Sequence, residues 1–137
     1  MTATTFIHTS DFQLGMTRWF LKGEAQGRFN DDREAAIVRL GELAKDTGAD
    51  FIVVAGDIFE HNALSRDILA RATEMFKRLP VPVYVLPGNH DPLVADSVFY
   101  KASADNVYVI ADSEPIEVAP GVELVGAPYL SKRANHD

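Results

Sequence analysis

The stretch VVAGDIFEHN, residues 53–62, begins as an apolar strand and ends on a charge. Gly56 stops the strand, and Asp57 places a carboxylate directly after it. Two other runs repeat this arrangement: FIHTSDFQLG, residues 6–15, and VYVLPGNHD, residues 83–91. Each apolar run is followed by side chains that bind metals or transfer protons, so the three runs require one common explanation.

The overall composition predicts a single globular domain without disulfide or thiolate chemistry. The chain has 137 residues, of which 47% are hydrophobic and 24% charged, and it contains no cysteine. Its net charge of -7 argues against a general nucleic-acid coat protein. An enzyme that acts on nucleic acid is not excluded, because bound metal ions can supply a local positive field.

The N-terminal sequence MTATTFIHTSD has neither the basic start nor the long apolar run of a signal peptide. No stretch of the sequence is long and apolar enough to span a bilayer, so no membrane association is expected. These observations predict a cytoplasmic protein.

The pattern of apolar residues predicts strands that alternate with helices. We expect strands at residues 4–10, 51–55 and 83–86, and helices over residues 31–50 and from Ser65 to Pro80. The order β-α-β-α-β implies parallel strands joined by right-handed crossovers. The second strand is almost continuously apolar, as expected for a strand covered on both faces. Residues 13–30 contain three glycines and no clear period, which predicts a long loop.

Both helices show recognisable ends and a buried stripe. The first is expected to begin at a cap formed by Asn30 or Asp31 and to end at Gly48. Its predicted buried stripe consists of Ile37, Leu40, Leu43 and Ala44. The second is expected to be capped by Ser65. Its predicted buried face consists of Ile68, Leu69, Ala72, Met75, Phe76 and Leu79.

The remaining sequence predicts a short helix, a fourth strand and a hairpin. The helix is expected over residues 96–104, and the sequence NVYVIAD, residues 106–112, reads as a strand. The run PIEVAPGVELVGAPY, residues 115–129, is typical of a hairpin that turns at Pro120 and Gly121.

In a parallel sheet the loops that follow the strands emerge at one edge, where ligands bind. Asp11, Asp57 and the run Asn89-His90-Asp91 are therefore expected to lie close together. Carboxylates that are crowded in this way repel one another unless a cation lies between them. Oxygen and nitrogen donors suit Mn²⁺, Mg²⁺, Fe or Zn²⁺.

These motifs resemble the successive motifs of the calcineurin-like metallophosphoesterases. The motifs that show this resemblance are DFQ after the first strand, GD after the second and GNHD after the third. The flanking sequences HTSDFQLG, DFIVVAGDIFEHN and VPVYVLPGNHD are similar to the nuclease subunit of the SbcD type, which acts in DNA double-strand-break repair. The resemblance implies a layered α/β sandwich, with a mostly parallel sheet flanked by helices. It also implies that residues 1–137 are the N-terminal part of a longer metallophosphoesterase domain.

The resemblance implies a two-metal phosphodiesterase, with Mn²⁺ favoured and Mg²⁺, Fe and Zn²⁺ as alternatives. Two bound metals would activate a water molecule and clamp the phosphate during in-line attack. Asp11 and Gln13 would bind the first metal, Asp57 both, and Asn89 the second; the amide of Gln13 could instead support a ligand or face solvent. His90 would act as a general acid, with its ring oriented by Asp91. A DNA substrate, a homodimer and an SMC-like ATPase partner are implied by resemblance alone.

Two departures from the family pattern matter. The first motif is normally Asp-x-His, whereas this chain has Gln13, which predicts a weakened first metal site or a preference for Mn²⁺ or Mg²⁺ over Zn²⁺. The later histidine motifs of the family are absent from the sequence. His136 has no strand to present it and is not expected to be a ligand. The chain alone is therefore expected to have an incomplete second metal site and to be inactive.

Several polar residues near the motifs have two interpretations. His61 could approach the phosphate, or simply follow the GD motif in a loop. Basic side chains in and after the long loop could guide DNA phosphates or form a solvated surface; they are Arg18, Lys22, Arg28 and Arg33. His8 lies within the first strand and is expected to be a core histidine.

The sequence therefore predicts a metal-dependent DNA nuclease, with exonuclease and endonuclease action both open. One alternative is another metallophosphoesterase that acts on phosphomonoesters or cyclic nucleotides. A second is a non-catalytic scaffold with the same fold. Retention of Asp57, Asn89, His90 and Asp91 argues against the scaffold.

Overall fold

The computed structural model of the chain describes residues 3–10, 24–56, 66–87 and 105–128, and for residues 24–33 and 66–69 it describes the backbone alone. The described elements alternate between strand and helix before they end in a hairpin. They are β1 (Phe6–Thr9), α1 (Glu24–Thr47), β2 (Phe51–Ala55), α2 (Arg66–Lys77), β3 (Val83–Leu86), β4 (Val107–Val109), β5 (Ile116–Ala119) and β6 (Val122–Leu124).

Strands β1 to β4 form one parallel sheet in the order β1-β2-β3-β4. The predicted β-α-β-α-β order and the predicted fourth strand are thus confirmed. Each new strand is added on the same side of the previous one, and right-handed crossovers then put successive helices on the same face. Helices α1 and α2 indeed share one core with the sheet. We call this side of the sheet the helix face and the other side the hairpin face.

The helix face is the larger core. The sheet contributes alternate β-branched residues, among which Ile52 and Val54 have no exposed surface. Helix α1 contributes Ile37 and Ala44, which lie seven residues apart and therefore on one side of the helix. Two turns of α2 add Phe76 and its neighbours. Packing in this core holds the strands in place relative to the helices, and it therefore determines where the strand ends lie.

The hairpin face carries a row of aromatic rings that crosses all four strands. Phe6 stacks on Phe51 with a centroid separation of 5.0 Å, and the Phe51 ring meets Tyr84 edge-on at 5.9 Å. Tyr84 in turn stacks on Tyr108 at 5.3 Å. These separations fall within the range at which aromatic pairs attract. We call Phe6, Phe51, Tyr84 and Tyr108 the aromatic row.

Strands β5 and β6 form the antiparallel hairpin that covers the centre of this face. The turn lies at Pro120 and Gly121, as predicted, and Gly121 has a φ of 76°. Just after β6, Gly126 passes so close to the sheet that an added Cβ would lie 2.6 Å from Ile110 Cγ2. The hairpin therefore packs directly on the sheet, with no room for a side chain at Gly126.

Helix α1 begins earlier than the sequence predicts. It starts at Glu24, so the interpretation of residues 13–30 as one long loop is wrong for residues 24–30. Asn30 and Asp31 lie inside the helix and are not its caps. The glycine at position 27 disfavours helix by roughly 1 kcal/mol, but good helix formers surround it and the long downstream helix propagates through it.

The stripe predicted for α1 is confirmed at three of its positions and wrong at one. Ile37 and Ala44 are buried and Leu40 packs against them, whereas Leu43 is 49% exposed. Leu43 follows Ile37 by six residues, which places it about 240° around the helix. The helix ends at Thr47, and Gly48 follows with a φ of 64°, as predicted.

Helix α2 agrees with its predicted buried face wherever its side chains are described. Ala72, Phe76 and Leu79 are buried, and Met75 packs against them. The side chains of Ile68 and Leu69, the cap at Ser65 and the short helix at residues 96–104 lie outside the described side chains and residues. In the described part of the chain, neither helix is apolar enough over sufficient length to cross a membrane.

Candidate metal centre

The ends of three parallel strands lie side by side at one edge of the sheet. Thr9 at the end of β1 pairs with Val54, and Ala55 at the end of β2 pairs with Leu86 at the end of β3. Neighbouring strands in a sheet are about 4.8 Å apart, so the three ends span roughly 10 Å. We call this side the carboxyl edge. It brings together the three points from which the predicted motifs leave the sheet.

Gly56 shows how the chain turns at this edge. It follows β2 directly, is buried, and has a φ of 86°. A residue with a Cβ would be strained there by about 1–2 kcal/mol, whereas glycine adopts this conformation freely. The chain can therefore change direction sharply at the last residue before Asp57. The prediction that Gly56 stops the strand is confirmed.

The predicted site residues all lie outside the described residues. They are Asp11, Gln13, Arg18, Asp57, His61, Asn89, His90 and Asp91. Their roles therefore stay predictions. Along the chain, Asp11 and Asp57 come one residue after the last described residues of their strands, Ser10 and Gly56. Within the described ranges, no group of three or more histidine, aspartate or glutamate side chains could hold a metal ion.

His8 differs from its prediction. It lies on β1, which is an edge strand of the sheet that the described residues form, and its side chain is exposed and does not belong to either core. The expectation of a core histidine is wrong because an edge strand is covered on fewer sides than a central one. His8 comes two residues before Ser10, so it is a titratable group near the carboxyl edge that sequence reasoning placed in the interior.

Tyr84 lies at the buried centre of the aromatic row. Burial on the hairpin face raises the pKa of Tyr84 above its usual value, and the neighbouring Tyr108 adds to this effect. Because both tyrosines belong to the aromatic row, this shift concerns the hairpin layer. It does not mark a catalytic group at the carboxyl edge.

Comparison with known proteins finds similarity to a protein family and to a DNA repair protein. The family model for the calcineurin-like phosphoesterases matches residues 4–136. The DNA double-strand break repair protein Mre11 of Archaeoglobus fulgidus is 32% identical to this chain over 98 residues. That alignment covers 69% of this chain but 21% of the Archaeoglobus protein. The chain thus corresponds to about a fifth of the length of the relative that it matches.

Proposed function

The chain belongs to the calcineurin-like phosphoesterase family, and we propose that it forms part of a metal-dependent nuclease that hydrolyses phosphodiester bonds in DNA. The observation that carries this proposal is the carboxyl edge, where three neighbouring parallel strands end together. The motifs SD, GD and GNHD follow those strands in the sequence. The similarity to a DNA double-strand break repair protein supports DNA as the substrate.

The donors that follow the three strands fit hard divalent cations. Asp11 and Asp57 supply carboxylates, and Gln13 and Asn89 supply amide oxygens. Oxygen donors suit Mn²⁺ and Mg²⁺ better than softer metals, so we propose two Mn²⁺ ions, with Mg²⁺, Fe and Zn²⁺ as alternatives. Asp11 and Gln13 would hold the first ion, Asn89 the second, and Asp57 both. When bound, such ions neutralise the phosphodiester and make water a stronger nucleophile.

The other predicted residues would act on the substrate. His90 would donate a proton to the leaving oxygen, and Asp91 would orient the His90 ring for this transfer. His61 and Arg18 would contact the phosphates of the DNA. A homodimer, an SMC-like ATPase partner and a cytoplasmic location complete the proposal. That residues 1–137 are the N-terminal part of a longer domain also stays a prediction.

The central test is metal binding by the chain. Calorimetric titration with Mn²⁺ is expected to show at least about tenfold weaker binding for Asp57→Asn than for the wild type, because a bridging carboxylate is lost. Asp46→Asn is the matched control, since Asp46 is an exposed residue near the far end of α1. Equal Mn²⁺ affinity in all three proteins would contradict the metal centre.

The substrate class needs a second measurement. Because residues 1–137 alone are expected to be inactive, the measurement uses the longer protein of which they are proposed to be part. Linear DNA and small chromogenic phosphodiesters and phosphomonoesters are compared as its substrates in the presence of Mn²⁺. Cleavage of DNA that is lost in His90→Ala supports the nuclease. Turnover of the small substrates without DNA cleavage would favour another phosphoesterase of the family. Absence of any dependence on metal would favour a scaffold.

A further inference from the structure

Helices α1 and α2 leave a groove between them on the outer surface of the domain. Its volume is about 250 Å³, and apolar groups form its floor, among them Ile37, Val38, Met75 and Leu79. Met75 and Leu79 belong to the last turn of α2 and the residues that follow it, which lead into the start of β3. The groove therefore lies toward the edge opposite the carboxyl edge, and it is separate from the candidate metal centre.

The groove is open because α1 has a glycine at its floor. Gly41 lines the groove, and a Cβ at this position would lie 3.3 Å from Leu79 Cδ2. A larger side chain at position 41 would fill the space between the two helices. Beside it, Val38 is 52% exposed, so the apolar floor continues onto the outer surface of α1. An apolar group from another molecule could therefore be buried here without moving either helix.

The charged side chains at the rim indicate which charge a ligand of this groove should carry. Five basic side chains are described, and three of them are paired: Arg39 with Glu42, Arg71 with Glu34, and Lys77 with Glu74. The other two are Lys45 and Arg78, for which no partner exists among the described residues. Both of them line the groove, together with Glu42, whose carboxylate is paired with Arg39, so the unpaired charge at the rim is positive. A chain with a net charge of -7 thus directs its two unpaired described cations to one apolar groove.

We propose that this groove binds an acidic peptide segment of a partner protein. The segment inserts one bulky apolar side chain between Val38 and Met75 and places carboxylates against Lys45 and Arg78. The volume of about 250 Å³ lies below the range of roughly 300–1,000 Å³ typical of small-molecule pockets, and it suits one or two side chains. Complementary charge at the rim favours an acidic partner over others and speeds its association.

Other occupants fit the groove less well. A nucleic acid supplies phosphates for Lys45 and Arg78 but no aliphatic group for the floor. A second copy of the chain would have to insert a different part of its own surface. That contact would be head-to-tail and would lead to rings or open filaments rather than a two-fold dimer. The combination of an apolar floor and a cationic rim therefore favours a peptide that carries both features.

The test uses a display library of random twelve-residue peptides, selected on the full chain and counter-selected on Arg78→Glu. Enriched peptides are expected to carry a large apolar residue flanked by aspartate or glutamate. Fluorescence polarisation with labelled copies of these peptides is expected to show at least about tenfold weaker binding to Arg78→Glu and to Val38→Asp. Circular dichroism confirms that each variant is folded.

Two matched variants serve as controls. Lys77→Glu makes the same change of charge at the neighbouring residue, the last of α2, outside the groove, and Leu43→Asp changes an equally exposed apolar residue of α1. Both are expected to bind the selected peptides as the wild type does. No enrichment, or peptides that bind Arg78→Glu and Val38→Asp normally, would overturn the proposal. DNA binding that is lost only in Arg78→Glu, or self-association that is lost in Val38→Asp, would replace it with another occupant.

Discussion

The two faces of the sheet are built differently although they belong to the same four strands. On the helix face, Ile52, Val54, Val83 and Val85 are at most 1% exposed. On the hairpin face, the aromatic row has a buried centre and open ends, with Phe6 53% and Tyr108 48% exposed. The strands alternate their side chains between the faces, so the difference comes from what covers each face.

The elements that cover each face of the sheet explain which side chains occur on that face. Two helices of 24 and 12 residues lie across the sheet and exclude water along the length of the strands. The hairpin has strands of four and three residues and covers the middle of its face. Large rings that stack on one another can shield strands that a short hairpin does not reach. We therefore expect the helix face to contribute more to the stability of the domain than the hairpin face.

Truncation of one phenylalanine on each side of the sheet should give the largest contrast. Phe76→Ala removes a ring that is 3% exposed on the helix face, and we expect a loss of about 3–5 kcal/mol in the free energy of unfolding. Phe6→Ala removes a half-exposed ring of the aromatic row. We expect a loss of about 1–2 kcal/mol, from partial burial and one stacked pair.

Urea unfolding followed by circular dichroism measures both values. If the Phe76→Ala variant is too unstable to give a native baseline, Phe76→Leu provides the comparison at a smaller cost. Equal losses for Phe76→Ala and Phe6→Ala would mean that the two faces contribute equally, whatever their exposure.

Neighbouring valines on β2 offer a sharper contrast with identical chemistry. Val54 points to the helix face and has no exposed surface, whereas Val53 points to the hairpin face and is half-buried. Val54→Ala is expected to cost about 2–3 kcal/mol and Val53→Ala about 1 kcal/mol. Thermal and urea unfolding of the two variants in the same buffer provide the measurement. A reversed order would show that the hairpin packs more tightly than the exposure of its residues indicates.

The sequence predicts the helix face well because that face depends on local patterns. The apolar run at β2 and the spacing of Ile37 and Ala44 each indicate burial without knowledge of the rest of the chain. The errors occur where the surrounding elements decide whether a side chain is buried. Leu43 has the right residue type but the wrong angle on α1, and His8 is exposed because β1 lies at the edge of the sheet formed by the described strands.

The sequence predicts the candidate site only in part: it predicts where the strands end but not the conformation of the loops that follow them. The sequence predicts the parallel order, the adjacent strand ends and the end of β2 at Gly56, and the structure confirms them. The identities of the metal ligands depend on the loops after β1, β2 and β3, whose side chains are outside the described residues. Strand patterns fix where such loops leave the sheet, but loop conformation depends on bound ions and on contacts that no periodicity encodes.

The smallest effect expected is a pH dependence that belongs to the hairpin face alone. Burial raises the pKa of Tyr84 in the folded protein, whereas in the unfolded chain the pKa is near the usual value of 10.0. Between these two values the unfolded chain releases a proton that the folded protein keeps. The stability that Tyr84 contributes is therefore complete below about pH 10 and is lost as the pH rises through the folded pKa.

Urea unfolding between about pH 8 and pH 11 should show this loss in the wild type, and Tyr84→Phe should reduce it. Tyr108→Phe should preserve most of it, because burial contributes more to the shift than Tyr108 does. All other titrating groups are the same in the three proteins, so the difference between their pH profiles isolates the aromatic row. If Tyr84→Phe and the wild type lose stability in parallel, the Tyr84 hydroxyl is open to solvent. The centre of the hairpin face would then be as exposed as its ends.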